Sequence, residues 1–591
     1  MRFLREGQSS DKLNKVERIK LDRHPLEVRD AIRDTYSREG VESLHAVPGE
    51  MERLKWAGIY PQKQGGDAFM MRLKVPGGVL TAEQARVVGQ IAVDFARGPE
   101  PNPVFGDAFL DITTRQDIQM HWFKMGDIPE IWRRLEEVGM TTTQACGDSA
   151  RNVLSCPVVG LDENEVIDAY PTAKAISDYF TGNREYANLP RKFKMSVTGC
   201  CEDCAQSEIN DIGLVPARLE DGTLGFNVRA GGGLSDGPRL ASDIDVFITE
   251  DQAVELTRGI AQIFGELGNR ENRWMARMRY LVQELGPEGF RDALAERVDF
   301  ELTPAGEDLT DHYRGDHTGV HRQKDGRYYV GLNVMVGRMG GEDFIEAARL
   351  AGEYGGGEGS VRLATDQNII ITGIPEERLD EFLAEPLLET YSPNPGPFSR
   401  GVVACTGTEF CRFAIVETKA RAVRWAKEMD AQYEAGELGQ ESIGMHFSGC
   451  SASCAQPQIG DIGFRGETAK GPDSFVEGVD IGLGGSLGGD AAFIDWVDGS
   501  RPTSQVPAAL TALVERFKSE RREGEKFHEW SRRMDNRGLR KTIRGAASEA
   551  EFSEPDPWLT SGNEDAAPQG TSGTGRADGD SYTRKNAKVG S

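Results

Sequence analysis

One string of residues in this chain occurs twice. Gly199-Cys200-Cys201-Glu202-Asp203-Cys204-Ala205-Gln206, running on to Ile209, Asp211 and Gly213, matches Gly449-Cys450-Ser451-Ala452-Ser453-Cys454-Ala455-Gln456, with Ile459, Asp461 and Gly463, at a constant offset of 250 residues. Gly231-Gly232-Gly233-Leu234 answers Gly484-Gly485-Ser486-Leu487. Further upstream, strand-like text over 69–75, a Gly77-Gly78 turn, an amphipathic stretch from Thr81 to Arg97 and strand-like text over 111–120 return as 328–334, Gly340-Gly341, a helical stretch over 342–354 and 361–369. The period far exceeds the roughly 20–50 residues of solenoid repeats. The chain must therefore fold as two similar halves, and a pseudo-two-fold axis is expected. Strand, helix, strand in this order predicts a ferredoxin-like half-domain in each half. The expected class is α+β, internally duplicated.

The cysteines are not spread evenly. Cys405 and Cys411 are separated by five residues, and Cys450 and Cys454 by three. Four thiolates of this kind can close on one [4Fe–4S] cluster, each iron taking one sulfur. Zinc is a rival reading, but structural zinc pairs favour separations of two to four residues. A disulfide framework suits small secreted chains rather than one of this length. Glycines at Gly407 and Gly449 sit where backbone must approach a cluster.

A formal net charge of −26 argues against nucleic acid as a partner. Acidic excess over a folded enzyme fits a protein working in high salt, where self-repulsion is screened, and so a halophilic host. The first residues lack the apolar run of a signal peptide, and no segment approaches the roughly 20 apolar residues that span a bilayer. The expectation is a cytoplasmic protein with no membrane partner.

The residues around the cysteines carry a resemblance. Val403-Ala404-Cys405-Thr406-Gly407, Phe410-Cys411, Glu417-Thr418-Lys419-Ala420-Arg421-Ala422, Met445-His446 and Asp461-Ile462-Gly463-Phe464 resemble the cluster segment of the sirohaem sulfite/nitrite reductases, in particular the ferredoxin-dependent (assimilatory) nitrite reductases. The likeness runs from about Trp56 to about Arg544. One departure touches the cluster loop, where Ser451 and Ala452 replace the family's Pro-Asn; the ligands survive, and the hydrogen bonding that tunes the cluster changes. The resemblance implies two larger α/β domains binding sirohaem and cluster, with Cys405, Cys411, Cys450 and Cys454 as ligands and Cys454 bridging to the sirohaem iron. It implies that Arg72, Arg151, Lys192 and Lys194 hold the anion and relay protons, and that Arg115 grips sirohaem carboxylates. On the residues alone, the alternation Lys192-Phe193-Lys194 puts both ammonium groups on one strand face, and a solvated edge strand is the plainer alternative.

No G-x-G-x-x-G dinucleotide signature is present, so a separate ferredoxin is the implied electron donor. The basic run from Arg516 to Arg544 is a candidate docking patch for it. The cluster segment favours nitrite as substrate, whereas Lys194 suits sulfite; an electron-transfer subunit without catalysis and a redox sensor are the readings from other classes. Expected boundaries are 1–55 for an N-terminal helical arm, 56–127 and 311–385 for the half-domains, 128–310 and 386–550 for the larger domains, and 551–591 for a disordered tail. Tyr60 and Cys146 resemble a pair that some bacterial relatives link covalently. In the first half, Cys156, Cys200 and Cys204 match Cys405, Cys450 and Cys454, but Asp162 stands near the place of the fourth ligand. Cys201 is adjacent to Cys200 and points away in extended chain. The trio is therefore expected to be a remnant without metal, and five iron atoms per chain are expected in the holoprotein.

Overall fold

The structure, a computed structural model, describes residues 10–311, 316–440 and 442–549. The expected tail over 551–591 lies outside them. A short turn shows how the halves are joined. Pro76 fixes the start of a turn in which Gly77 and Gly78 take positive φ, and a Cβ on Gly78 would lie 2.3 Å from the Leu363 carbonyl oxygen. This tight approach delivers strand Val79–Thr81 to the other half-domain, where it pairs with Ser360–Leu363. Gly337 does the same in reverse. It has φ +71°, its Cβ would lie 2.4 Å from the Ile112 carbonyl oxygen, and it delivers Arg338–Gly340 onto Phe109–Ile112. Only a residue without a side chain fits either place.

The half-domains thus exchange edge strands. One sheet runs Ile59–Pro61, Phe69–Leu73, Ile118–Phe123, Phe109–Ile112, Arg338–Gly340; the other runs Gly319–Arg322, Tyr328–Leu332, Ile369–Ile374, Ser360–Leu363, Val79–Thr81. Each covers its inner face with a helix. Thr81 and Gln84 close a capping box on Ala82–Phe95, and Gly341–Tyr354 is its counterpart. One apolar core serves both half-domains, including Val88, Ile91, Phe344 and Leu350. The N-terminal helices join it through Val28, Ile32 and Leu44, and helix Ile128–Glu137 through Ile131, Trp132 and Leu135. That helix begins beyond the boundary expected at 127.

Two larger sheets follow the same plan. In the first, Ala150–Ser155, Phe193–Val197 and Ile212–Arg218 run parallel, and Leu224–Ala230 and Ser242–Ile248 continue antiparallel. In the second, Val402–Ala404, Met445–Ser448 and Ile462–Lys470 run parallel before Phe475–Leu483 and Asp495–Pro502. Each packs on its own core, around Phe180, Phe193 and Phe264 in one and Trp425, Phe447 and Trp530 in the other. Gln206 and Gln456, equivalent in the repeat, hydrogen-bond each other side chain to side chain at 2.7 and 3.3 Å, as residues astride a two-fold axis do. Among the described residues, no helix is long and apolar enough to cross a membrane.

Candidate active site between the halves

Both cysteine pairs sit where parallel strands end. Cys405 follows Val402–Ala404, its amide donating to the Phe447 carbonyl at 3.1 Å; Cys450 and Cys454 follow Met445–Ser448. Backbone amides point at the sulfurs, Gly449 N to Cys405 Sγ at 3.2 Å and Phe413 N to Cys411 Sγ at 3.4 Å. Such donors stabilise thiolate charge and set cluster potential. Burial pushes the Cys405 thiol up to about 12, with Cys454 and Cys411 adding to the rise, and burial likewise raises Cys450 and Cys411. Three of the four are half-buried, and Cys454 alone is exposed. Its carbonyl is held by Thr114 Oγ1 at 3.0 Å, from the first half.

The first half supplies cations to the place where Cys454 emerges. Arg72 projects from Phe69–Leu73, with Nε 3.1 Å from Gln119 Oε1 and Nη1 3.2 Å from Cys146 Sγ. Arg115 reaches Asn210 Oδ1 at 2.8 Å and the Asn152 carbonyl at 2.6 Å, while its Nε has no partner. Arg151 donates to the Gly147 carbonyl at 2.9 and 3.0 Å. Neither Lys192 nor Lys194 has a carboxylate within ion-pair distance among the described residues. Burial, with Arg277 and Arg191 beside it, pushes Lys192 down to about 7; burial together with Arg115 and Lys192 holds Lys194 well below the usual lysine range. Cys454 acts electrostatically on both Arg72 and Lys192. The structure therefore brings the five expected cations close together, with Arg72 and Lys192 near the exposed thiol.

Several contributors were not evident from sequence. Arg277 and Arg279 lie in text that reads as linker, yet both are buried against the Gly233 backbone, and both leave Nε without a partner. The alternation Arg277-Met278-Arg279 was the available signal. Asp117 is buried, with Oδ1 unpartnered, and burial pushes its carboxyl up to about 6 despite Arg72, Arg115 and Lys74 nearby. Tyr60 and Cys146 are also in contact; burial, then Cys146, raises the phenol, and a thioether link would need this proximity. Within the basic run over 516–544, some cations are paired with carboxylates. Arg516 pairs with Glu520, Arg532 with Asp490, Arg533 with Glu525 and Arg544 with Asp498. Lys518 pairs with Glu437, and six of the run's eleven cations stay outside such pairs among the described residues.

Comparison with known proteins places this arrangement. Residues 146–302 and 396–550 match the nitrite and sulphite reductase 4Fe-4S domain, and residues 60–138 and 321–388 match the nitrite/sulfite reductase ferredoxin-like half domain. The chain belongs to the nitrite and sulphite reductase family. It is 44% identical to the assimilatory ferredoxin-dependent nitrite reductase of Haloferax mediterranei, over 85% of this chain and 89% of that one. It is 40% identical to the ferredoxin–nitrite reductase of Synechococcus elongatus, over 87% and 98%. The solved structure of the Mycobacterium tuberculosis NirA protein superposes with a TM-score of 0.81 at 32% identity, covering 89% of this chain and 97% of that one.

Family membership implies sirohaem, and the residues can be tested for fit. Seven cations (Arg72, Arg115, Arg151, Lys192, Lys194, Arg277 and Arg279) line the cleft, where Asp117 and Asp211 are the nearby acids. Unpaired charge in such a place costs several kcal/mol unless a counter-charge arrives. A macrocycle bearing many carboxylates supplies that charge, and Arg groups recognise carboxylates through paired donors. The residues fit the group.

Proposed function

We propose that this chain catalyses the ferredoxin-dependent, six-electron reduction of nitrite to ammonium in the cytoplasm, using one sirohaem and one [4Fe–4S] cluster. The observation that carries the reading is the convergence of a cation excess from the first half on Cys454, the one exposed thiol of the four ligands. Cys405, Cys411, Cys450 and Cys454 would hold the cluster. Arg115, with Arg277 and Arg279, would hold the sirohaem carboxylates. When bound, sirohaem supplies an iron at which the anion is held and a conjugated ring that passes on electrons arriving singly.

The chain's own residues do the rest. Arg72, Arg151, Lys192 and Lys194 present donors to an anion and stabilise charge developing on oxygen as N–O bonds break. With a pKa of about 7, the Lys192 ammonium can give up a proton and regain it from solvent near neutral pH, as a proton relay requires. Asp117, with a carboxyl near 6, is a second proton store behind Arg72. A diffusible ferredoxin would deliver electrons near Phe413, which is half-exposed two residues from Cys411 and flanked by Arg412.

Lys194 favours a second reading, reduction of sulfite to sulfide, because a second lysine suits a more highly charged anion. The nitrite reading is tested against this one by steady-state turnover of nitrite and sulfite in high salt, with reduced ferredoxin and with a reduced dye. A kcat/KM higher for nitrite, with ammonium as product, supports it; preference for sulfite, or no turnover by a protein with full iron, rejects it.

A further inference from the structure

We propose that Cys156, Cys200, Cys204 and His317 form a structural zinc site that ties the first larger domain to the second ferredoxin-like half-domain. The expectation of an empty remnant rested on a missing fourth ligand. His317 supplies one from outside the repeat-aligned segments, just ahead of strand Gly319–Arg322.

Three thiols and one imidazole are gathered in one buried place. The three sulfurs all lie within 4.8 Å of one another, and all four side chains are at most 2% exposed. His317 Nε2 is 3.1 Å from Cys204 Sγ and 3.7 Å from Cys156 Sγ. A tetrahedral zinc with bonds of about 2.3 Å to sulfur and 2.0–2.1 Å to nitrogen separates its ligands by about 3.8 Å (sulfur–sulfur) and 3.6 Å (sulfur–nitrogen). The ring is also oriented for the task. Its Nδ1 lies 3.2 Å from the Tyr329 hydroxyl, while Nε2 faces the thiols of Cys204 and Cys156. Thr365 Oγ1 holds the Cys204 carbonyl at 3.2 Å, just as Thr114 holds that of Cys454.

The same molecule shows what a cluster set looks like instead. Among the described residues, no three of Cys405, Cys411, Cys450 and Cys454 come within 4.8 Å of one another, because a cubane binds each thiolate through a different iron and spreads them. The first-half trio is too tight for a cubane. Cys201 takes no part; Asp311 lies beside it, and it is outside the group. Glu202 reaches the Cys204–His317 pair with its carboxylate and is the competing oxygen ligand. Binding exchanges thiol protons for the ion, with no change of oxidation state. Four protein ligands leave no open position, so the site is structural rather than catalytic.

The test is metal analysis and zinc-edge X-ray absorption on the holoprotein purified from zinc-replete medium. One zinc per chain beside about five iron atoms, with three sulfur neighbours at about 2.3 Å and one nitrogen at about 2.0–2.1 Å, is the expected result. Zinc at background, zinc bound by oxygen and nitrogen alone, or iron near nine atoms per chain would overturn the proposal. His317→Gln should replace the nitrogen neighbour or lower zinc occupancy several-fold, while Glu202→Gln keeps the three-sulfur, one-nitrogen shell. An unchanged spectrum in His317→Gln would also overturn the assignment. Should the variant fail to fold, the spectrum of the natural protein decides.

Discussion

At the positions that line the cleft, the first larger domain and its repeat carry different charge. Strand registers make Arg115 equivalent to Asp366, Lys192 to Ser442, Lys194 to Gly444 and Arg151 to Arg400. Arg72, one residue before the end of its strand, corresponds to Gly331. Of five cations only Arg400 persists in the second half, and Asp316 pairs with it at 3.0 Å. The second half borders an open cavity of about 480 Å³ whose walls include Asp311, Asp316, Asp366, Asp461 and Asp490, with Arg400, Lys526 and His528. Burial and Asp316 push Asp366 up to about 7, which is how a carboxyl behaves where negative charge is already in excess. The backbones correspond, and on the proposed function the difference in charge would favour a polyanionic macrocycle in the first half. Thiols diverge the opposite way: the second half spreads four apart, and the first gathers three near a histidine. On the proposed function, one active site would be assembled from the cations of one half and the sulfurs of the other.

The sharpest way to break this division is Cys454→Ser. It should lower nitrite turnover by at least about 10³-fold, since it removes the link between the two contributions; retained turnover would dissolve the comparison. Next comes making the first half resemble the second. Lys192→Ser combined with Lys194→Gly should cost about 10²–10³-fold in kcat/KM for nitrite, with the loss in kcat showing that the lysines act in the transition state. A change in KM alone would reduce them to binding groups.

A third test uses a contact that the second half lacks. Asp148 corresponds to Pro397 at the local offset of 249 residues, so the N-terminal arm docks on the first half through a network with no repeat. Lys20, fully buried, reaches Glu17 at 2.5 Å and Asp148 at 3.5 Å, and Arg273 reaches Asp148 at 2.8 Å. Burial opposes ionisation of Asp148, but Arg273 and Lys20 overcome it and hold the carboxyl well below the usual range. A depressed carboxyl stabilises the fold above its unfolded pKa of about 3.9, and that contribution is lost as pH falls below it. Asp148→Asn should therefore cost about 3–5 kcal/mol at pH 7 in denaturant unfolding, because a buried charge loses its partner, and should narrow the gap to the natural protein in acid. A gap constant with pH would show that the network does not hold the arm.

The smallest effect concerns selectivity. Lys194→Asn should lower sulfite turnover several-fold more than nitrite turnover, because a dianion depends more on the second ammonium; equal losses would confine Lys194 to a supporting role.

What the sequence disclosed, and what it withheld, follows from where each constraint acts. The repeat was legible because duplication leaves a constant offset, and the cluster expectation came from cysteine spacing, which a cofactor would dictate along the chain. The exchange of Val79–Thr81 and Arg338–Gly340 was not, since pairing between half-domains has no local periodicity; the glycines at 78 and 337 mark the turns but not their destination. Arg277 and Arg279 were hidden because helix-rich text reads as linker when its contacts lie far away in sequence. His317 was hidden for a related reason: it lies 113 residues from Cys204, in a segment that the repeat does not align.

The division of labour is tested most directly by iron and sirohaem content in two carboxylate-charge variants. Arg115→Asp gives the first cleft the residue of the second, and Asp366→Asn removes a negative charge from the second cleft. The account predicts that Arg115→Asp loses sirohaem absorbance and falls from about five to about four iron atoms per chain, keeping its cluster, while Asp366→Asn retains both cofactors. Full sirohaem in Arg115→Asp, or its loss in Asp366→Asn, would contradict it.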